Sequence, residues 1–163
     1  MLVRAKWILA VVVLLCATSV VAQNVPNFSG NFSLVPDNPK KPNVVETLAI
    51  EQTATSIEIT KTIDGKTEIE KYMLDGSTSE SKTITGVSQK GFVKWHGGEL
   101  WIETIATPSI NGRIMRLHTK QRWQLSKDSD TIKVRMETDA PDMPAEVSSA
   151  AFQPYVDVFK RTK

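Results

Sequence analysis

The sequence is poor in the residues that most often carry chemistry. Of its 163 residues one is Cys and two are His, and aromatic residues make up 7 %. His96 and His118 lack the H-x-H or H-x-x-x-H spacing of many metal sites, and no G-x-S-x-G, Cys–His or phosphate-loop motif occurs. The sequence therefore predicts no catalytic residues, no metal site and no cofactor, and an enzyme is the least favoured function.

The chain also lacks an excess of charge of one sign. Its 20 Lys and Arg residues stand against 18 Asp and Glu residues, which gives a net charge of +2. Without Arg4 and Lys6 in the N-terminal segment, 18 basic residues balance the 18 acidic ones. A domain without net positive charge lacks the electrostatic footprint of a nucleic-acid-binding protein, so we expect no nucleic-acid partner.

Long apolar runs are also missing, apart from a short one near the N-terminus. Arg4 and Lys6 precede an apolar stretch at residues 7–15, and small residues then lead to Ala22. This stretch is shorter than a transmembrane helix requires, and the order basic, apolar, small is typical of a secretory signal peptide.

We therefore expect cleavage after Ala22. Residues 1–22 would be a signal peptide and residues 23–163 a single domain without a transmembrane span, located in the periplasm or secreted. Because Cys16 lies in the signal peptide, the mature domain would have no thiol and no disulfide. Two alternatives stay open: an uncleaved membrane anchor, and a lipoprotein acylated at Cys16.

From residue 28 onward, short stretches alternate apolar and polar residues and are separated by turn residues. No segment shows a sustained helical period with caps, so strands are favoured throughout. The predicted strands span residues 28–34, 46–52, 56–63, 67–74, 81–87, 92–96, 99–106, 114–125, 131–138 and 152–160. Strands at this spacing, with Gly-containing turns, predict an all-β antiparallel barrel or sandwich.

One hairpin can be aligned residue by residue. A two-residue turn at Gly97-Gly98 places the apolar side chains of both strands on one face, namely Val93, Trp95, Leu100 and Ile102. Phe92 and Trp101 fall on the polar face. We expect Trp101 either to be covered by Lys94 in a cation–π pair or, together with Phe92, to mark a contact surface.

A second turn is less clear. A two-residue turn at Asp64-Gly65 would place Ile59 opposite Glu70, an apolar residue beside a charged one. We therefore expect a longer loop or a β-bulge that shifts this register.

Several segments resemble, in the same order, a largely uncharacterised family of small secreted bacterial proteins. The segment 27–34, N-F-S-G-N-F-S-L, is similar to the family's opening N-F-S-G-x-W-x-L strand. Later blocks with the same similarity are Tyr72 to Gly76, Lys94-Trp95 with its Gly turn, Arg122 to Ser126, and Thr131-Ile132. The family is regarded as lipocalin-like, so the resemblance implies an up-and-down barrel of about 8–10 strands around a ligand cavity.

The resemblance also implies a structural pair. In the family and in lipocalins, a Trp stands where this chain has Phe32, and it packs against a basic residue late in the chain. Arg122 is the candidate for that basic residue here.

Aromatic and aliphatic side chains on the inward faces of separate strands are candidates for the lining of such a cavity. These are Phe32, Trp95, Leu117, Trp123 and Met136. They predict an exported, non-catalytic binding module for a small hydrophobic ligand. The alternative is a barrel with a filled core that acts as an envelope interaction or structural protein through Phe92 and Trp101, with a partner that the sequence does not specify.

Overall fold

A computed structural model describes residues 25–36, 44–110 and 112–163, with the side chains of Ile110 and Ser149 excepted. The predicted signal peptide at residues 1–22, including Cys16, lies outside the described residues. Within the described residues, no helix has the length and apolar character to cross a membrane.

Strands make up more than half of the described chain. Their bounds are β1 Gly30–Leu34, β2 Glu46–Gln52, β3 Ser56–Ile63, β4 Lys66–Met73, β5 Ser79–Lys82, β6 Ser88–His96, β7 Glu99–Ala106, β8 Ser109–Ile110, β9 Arg113–Ile114, β10 Leu117–Leu125, β11 Thr131–Asp139 and β12 Tyr155–Arg161. One helix, α1 Ala145–Ala151, lies between β11 and β12. Alternation of buried and exposed residues along the longer strands separates an inner from an outer face.

Ten of these strands form one antiparallel sheet that curls into a nearly closed barrel. The strand order is β4-β3-β2-β1-β12-β11-β10-β7-β6-β5, and β1 pairs with both β2 and β12. The two strands at the ends of this order, β4 and β5, lie beside each other. The prediction of an all-β, antiparallel, up-and-down barrel is confirmed.

The hairpin of β6 and β7 has the register that the sequence predicts. Trp95 pairs with Leu100 and Val93 with Ile102 across the turn at Gly97-Gly98. Both turn glycines have positive φ, 56° and 94°, which a two-residue hairpin turn requires.

The expected register shift between β3 and β4 is wrong. Asp64 and Gly65 form a two-residue turn with φ values of 47° and 79°, and Ile59 pairs directly with Glu70. Both φ values suit a turn whose twist matches that of the strands. Glu70 therefore points into the barrel beside apolar neighbours, and its carboxylate is buried there.

Several predicted boundaries also differ from the structure. The strand expected at 114–125 is divided, because β9 pairs locally with β8 before β10 begins at Leu117. The strand expected at 81–87 ends at Lys82, and β6 starts at Ser88 instead of Phe92. The sequence analysis predicted no helix, whereas α1 occupies seven residues after Pro144. A helix of two turns is too short to show a clear period.

The loops of the barrel define two ends. The turns at 53–55, 74–78, 97–98 and 126–130 lie at one end, which we call the floor; the loops at the other end surround what we call the rim. Inward residues near the floor are apolar, such as Ile57, Leu100 and Trp123, and belong to one hydrophobic core. Toward the rim the same faces carry polar residues, including Lys61, Gln89, Thr104 and Gln121.

Candidate functional site

The floor is covered by the N-terminal segment at residues 25–29. Phe28 is completely buried, and its ring lies 6.1 Å from Trp95 and 6.3 Å from Trp123, measured between centroids. Gln52 secures this segment, because its side-chain oxygen accepts a hydrogen bond from Phe28 N and its Nε2 donates one to the Pro26 carbonyl, each at 3.0 Å. Aromatic packing thus fills the floor end of the interior.

Phe32 also lies at this end, and its cationic partner is Arg161. The Arg161 guanidinium lies 4.5 Å from the Phe32 ring centroid, and the two residues pair across β1 and β12. The prediction that Arg122 would be this partner is wrong. Arg122 points outward instead, 4.6 Å from the ring of Trp101.

A group of polar side chains lies in the interior, from the level of Ile57 and Ile59 up toward the rim. We call it the Glu70 cluster; it consists of Lys61, Glu68, Glu70, Tyr72 and Gln89. Gln89 Nε2 donates hydrogen bonds to Glu70 Oε1 at 2.6 Å and to Ser81 Oγ at 3.0 Å. Lys61 Nζ donates to Glu68 Oε1 at 2.8 Å.

The Glu70 cluster lies at the seam where the barrel is incompletely closed. The described strands β4 and β5 share no ladder of backbone hydrogen bonds, since they stand at opposite ends of the strand order. Two carboxylates on β4 reach across instead: Glu68 Oε2 accepts a hydrogen bond from Ile84 N at 2.6 Å, and Glu70 is bonded to Gln89 of β6. Side chains therefore connect the two edges.

Tyr72 crosses the same seam with its ring. A Cβ placed on Gly91 of β6 would lie 2.8 Å from Tyr72 Cε1 and 2.9 Å from Thr104 Cγ2, closer than carbon atoms pack. A residue larger than glycine at position 91 would thus displace the Tyr72 ring. The glycine allows the ring to approach the backbone of β6 closely.

The titration behaviour of this cluster follows from its burial and its acidic neighbours. Burial by itself lowers the pKa of Lys61, but the carboxylates of Glu70, Glu68 and Glu46 outweigh that effect and hold the pKa above its ordinary value. Burial also raises the pKa of the Tyr72 hydroxyl, and the charge of Glu70 raises it further. At neutral pH, Lys61 is therefore an ammonium ion and Tyr72 a neutral phenol.

The five predicted cavity residues do not all meet at one place. Phe32 and Trp123, each 1 % exposed, lie in the core near the floor, and Trp95 packs against it. Leu117 stands at the rim end of β10, and Met136 lies above the core on β11, where its sulfur accepts a hydrogen bond from Tyr155 Oη at 2.7 Å. Their role in lining a ligand cavity stays a prediction.

The predicted contact surface, Phe92 and Trp101, lies half-buried on the outer face of β6 and β7. The expected cover of Trp101 by Lys94 is wrong, because the Lys94 ammonium lies 5.0 Å from the Phe92 ring instead. Trp101 stacks on His96 with centroids 4.1 Å apart, opposite the cation of Arg122. Outer-face neighbours therefore already cover much of both aromatic rings.

The site offers hydrogen-bonding groups without an obvious metal site. Among the residues that the structure describes, no three His, Cys, Asp or Glu side chains form a group that could hold a metal ion. His118 Nε2 lies 3.4 Å from Glu103 Oε2. This pair is on the outer face of the barrel, whereas the carboxylates of the Glu70 cluster are buried inside it. The arrangement suits recognition of a polar group beside apolar surface.

Solved structures with the same fold provide the comparison. The ileal bile acid-binding protein of zebrafish, complexed with cholic acid, superposes with a TM-score of 0.57 at 16 % identity, covering 83 % of this chain and 98 % of that one. A fatty acid transporter, REP1-NXSQ, superposes with a TM-score of 0.53 at 14 % identity, covering 83 % and 96 %. No protein-family model and no curated protein matches the sequence. At these identities the likeness shows the fold alone, a nearly closed antiparallel β-barrel.

Sequence reasoning missed the Glu70 cluster. The signal was present, because Asp-Gly between two alternating segments strongly favours a two-residue hairpin turn. That turn places Glu68, Glu70 and Tyr72 on the face that Ile57 and Ile59 share. The expected register shift rested on an all-apolar interior and not on the turn residues.

Proposed function

We propose that the protein is an exported, non-catalytic barrel that binds a small amphipathic or apolar molecule in its interior. The composition of the inner wall carries this proposal: apolar side chains occupy most of it toward the floor, and buried hydrogen-bonding groups begin at Tyr72 and Glu70, beside Ile57 and Ile59, and continue to the rim. Sites for small molecules typically combine mostly apolar walls with a few polar groups that orient the ligand. The two structural neighbours, whose titles name cholic acid and a fatty acid transporter, support the same use of the fold.

The proposal assigns roles to residues by their height in the barrel. Apolar residues near the floor, such as Ile59 and Val93, would contact the apolar part of the ligand, with Trp95 and Trp123 below them. Leu117 and Met136 would contact the ligand nearer the rim. The Glu70 cluster would meet its polar group.

The test of binding is native mass spectrometry of the protein purified from its own cells. We expect a co-purified small molecule, and quenching or enhancement of tryptophan fluorescence when apolar probes are added to the stripped protein. The binding proposal is contradicted if the purified protein carries no small molecule and its tryptophan fluorescence changes with none of the probes. That result would favour the filled barrel that acts through its surface.

Export is proposed from the basic, apolar and small residues of the first 22 positions. Intact mass measurement of the protein from the periplasm and from the culture medium tests it. We expect a chain that begins at Gln23. A full-length chain found in the cytoplasm contradicts export, and an acylated chain that begins at Cys16 would show a lipoprotein.

A further inference from the structure

Glu70 is a buried carboxylate that no basic side chain of the described residues contacts directly. Its residue is 3 % exposed, and its one direct hydrogen bond comes from the neutral amide of Gln89. Among the described residues, no Lys or Arg nitrogen lies within 4.0 Å of its carboxylate. Burial of an ionised carboxylate is costly unless a partner compensates for the lost hydration. A positively charged partner would therefore stabilise this carboxylate.

Tyr72 provides a second observation at the same place. The residue is 1 % exposed, and among the described residues its hydroxyl has no partner in good hydrogen-bonding geometry, although Glu70 lies near enough to raise its pKa by its charge and as a nearby acceptor. Buried polar groups are almost always hydrogen-bonded, so an unpaired hydroxyl needs a specific explanation. A bound molecule that donates a hydrogen bond to Tyr72 Oη would supply one.

The basic side chain of the cluster does not fill this role. Lys61 Nζ acts on Glu70 through space, but its direct bond is to Glu68 at 2.8 Å, and Arg161, another inward-facing basic residue, is used at the floor. Within the cluster, two carboxylates face one ammonium ion. A carboxylate ligand placed here would add a third negative charge to a site of low dielectric constant.

Open space reaches the cluster from the side. A cleft of about 420 Å³ is lined by Gln89, by Ser81 and by the half-exposed apolar side chain of Ile105. The Gln89 amide donates a hydrogen bond to Ser81. Gln89 thus separates this cleft from the Glu70 carboxylate by one side-chain amide.

We propose that the ligand of this barrel is an amphipathic amine, whose protonated amino group lies between Glu70 and Tyr72 and whose apolar part extends toward Ile57, Ile59 and Val93. An ammonium group donates three hydrogen bonds and accepts none, which matches a carboxylate and an unpaired hydroxyl. This inference rests on the proposed binding function and sharpens its ligand class. The expected head group has the opposite charge to the carboxylic acids named for the two structural neighbours.

Calorimetric titration with three probes of equal chain length tests the head group. Dodecylamine, dodecanol and dodecanoate present the same tail with a cationic, a neutral and an anionic head. We expect dodecylamine to bind about tenfold or more tightly than either of the others, because a charge-assisted hydrogen bond in a buried site exceeds a neutral one by that much. Measurements below the micelle concentration and at two salt concentrations exclude adsorption to the surface.

Two variants locate the effect. Glu70→Gln keeps the shape and the bond from Gln89 but removes the charge, and it should reduce the affinity for dodecylamine to that for dodecanol. Tyr72→Phe should reduce the affinity for dodecylamine several-fold. It should leave the thermal midpoint of the ligand-free protein unchanged or higher, since the hydroxyl has no partner there. Glu58→Gln is the matched control: its carboxylate lies on the outer face and pairs with Lys71, and the same loss of charge should change nothing.

The outcomes separate this inference from the proposed function. Dodecanoate binding that equals or exceeds dodecylamine binding overturns the amine assignment and leaves a binding barrel. Equal affinities for dodecylamine and dodecanol also overturn it, because charge then plays no part. Dodecylamine binding that Glu70→Gln leaves intact places the amine elsewhere and overturns the assigned site. If no probe binds, both the inference and the binding function fail.

Discussion

Arg161 is the residue that joins the parts of the floor. Its Nη1 donates a hydrogen bond to the Ser29 carbonyl and its Nε one to the Ser129 carbonyl, each at 2.9 Å. Its guanidinium also covers the Phe32 ring. A Cβ at Gly30 would lie 1.9 Å from Arg161 Nη1, so glycine at this position makes the arrangement possible. One side chain thus links the N-terminal segment, β12 and the turn after β10.

Replacement of Arg161 by Met should reduce the free energy of unfolding by about 2 kcal/mol. The variant keeps an apolar stem but loses two charge-assisted hydrogen bonds and the cation above Phe32. Urea unfolding followed by tryptophan fluorescence measures the loss. Lys160→Met, at the exposed neighbouring position, is the control and should change stability little. Equal effects of the two substitutions would contradict a special role for Arg161.

The identity of this arginine could not be predicted from the sequence. Strand alternation indicates which face a residue occupies, but not which strand closes against β1. Arg161 meets Phe32 because β12 returns to the first strand, a pairing across most of the chain. Arg122 was the wrong choice because its strand lies between β7 and β11, with its side chain outside.

At the scale of elements, the seam between β4 and β5 differs from every other neighbouring pair in the barrel. The described edges meet through Glu68 and Glu70 rather than through a backbone ladder. Segments with few backbone hydrogen bonds open locally at a lower free-energy cost than the rest of a fold. We therefore expect the strand β5 and the turn after it to be the least protected part of the sheet.

The substitution Glu68→Gln tests how much one carboxylate contributes to this seam. It removes the ion pair with Lys61 and weakens the hydrogen bond from Ile84 N, which should cost about 1–3 kcal/mol of stability. Hydrogen exchange measured by mass spectrometry should accelerate in residues 79–87 and change little in β10 and β11. Glu80→Gln, an exposed carboxylate on the same seam, should affect neither. Uniform acceleration over all strands would contradict a local role.

The hairpin of β3 and β4 shows how far sequence reasoning reaches at this scale. The turn residues Asp64 and Gly65 were sufficient to specify the register, and the expected shift was wrong because it assumed a purely apolar interior. The turn at Gly97-Gly98 raised no such conflict, and its register is confirmed. Local turn chemistry was therefore the more reliable signal, and hydrophobic alternation failed where the interior contains a polar site.

For the molecule as a whole, the Glu70 cluster predicts sensitivity to alkaline pH. Unfolded Tyr72 loses its proton around pH 10.0, whereas burial and Glu70 hold the pKa of the folded residue above that value. The folded state then retains a proton that the unfolded state lacks, so stability falls as pH rises above about 10. Lys61 acts in the same direction: its contribution is present below pH 10.5 and is lost as pH rises through its raised pKa.

Urea unfolding at intervals from pH 8 to about pH 11 measures this dependence. One retained proton corresponds to about 1.4 kcal/mol per pH unit, and Tyr72→Phe should remove that much of the decline above pH 10. The variant and the original chain should have parallel profiles below pH 9. Parallel profiles up to pH 11 would contradict the assignment of the decline to Tyr72.

The sequence by itself determined that this chain forms antiparallel strands with one apolar face, in a barrel or a sandwich, because alternation and turn residues are local properties. It also predicted the apolar residues of the floor, since these follow the same period. Only the tertiary structure decided that Phe32 meets Arg161, that Tyr72 lies on Gly91, and that Glu70 is bonded to Gln89. Each of these contacts joins strands that are not consecutive in the chain. Closure of the barrel brings these residues together, and the periodicity of the sequence does not indicate which strands will pair.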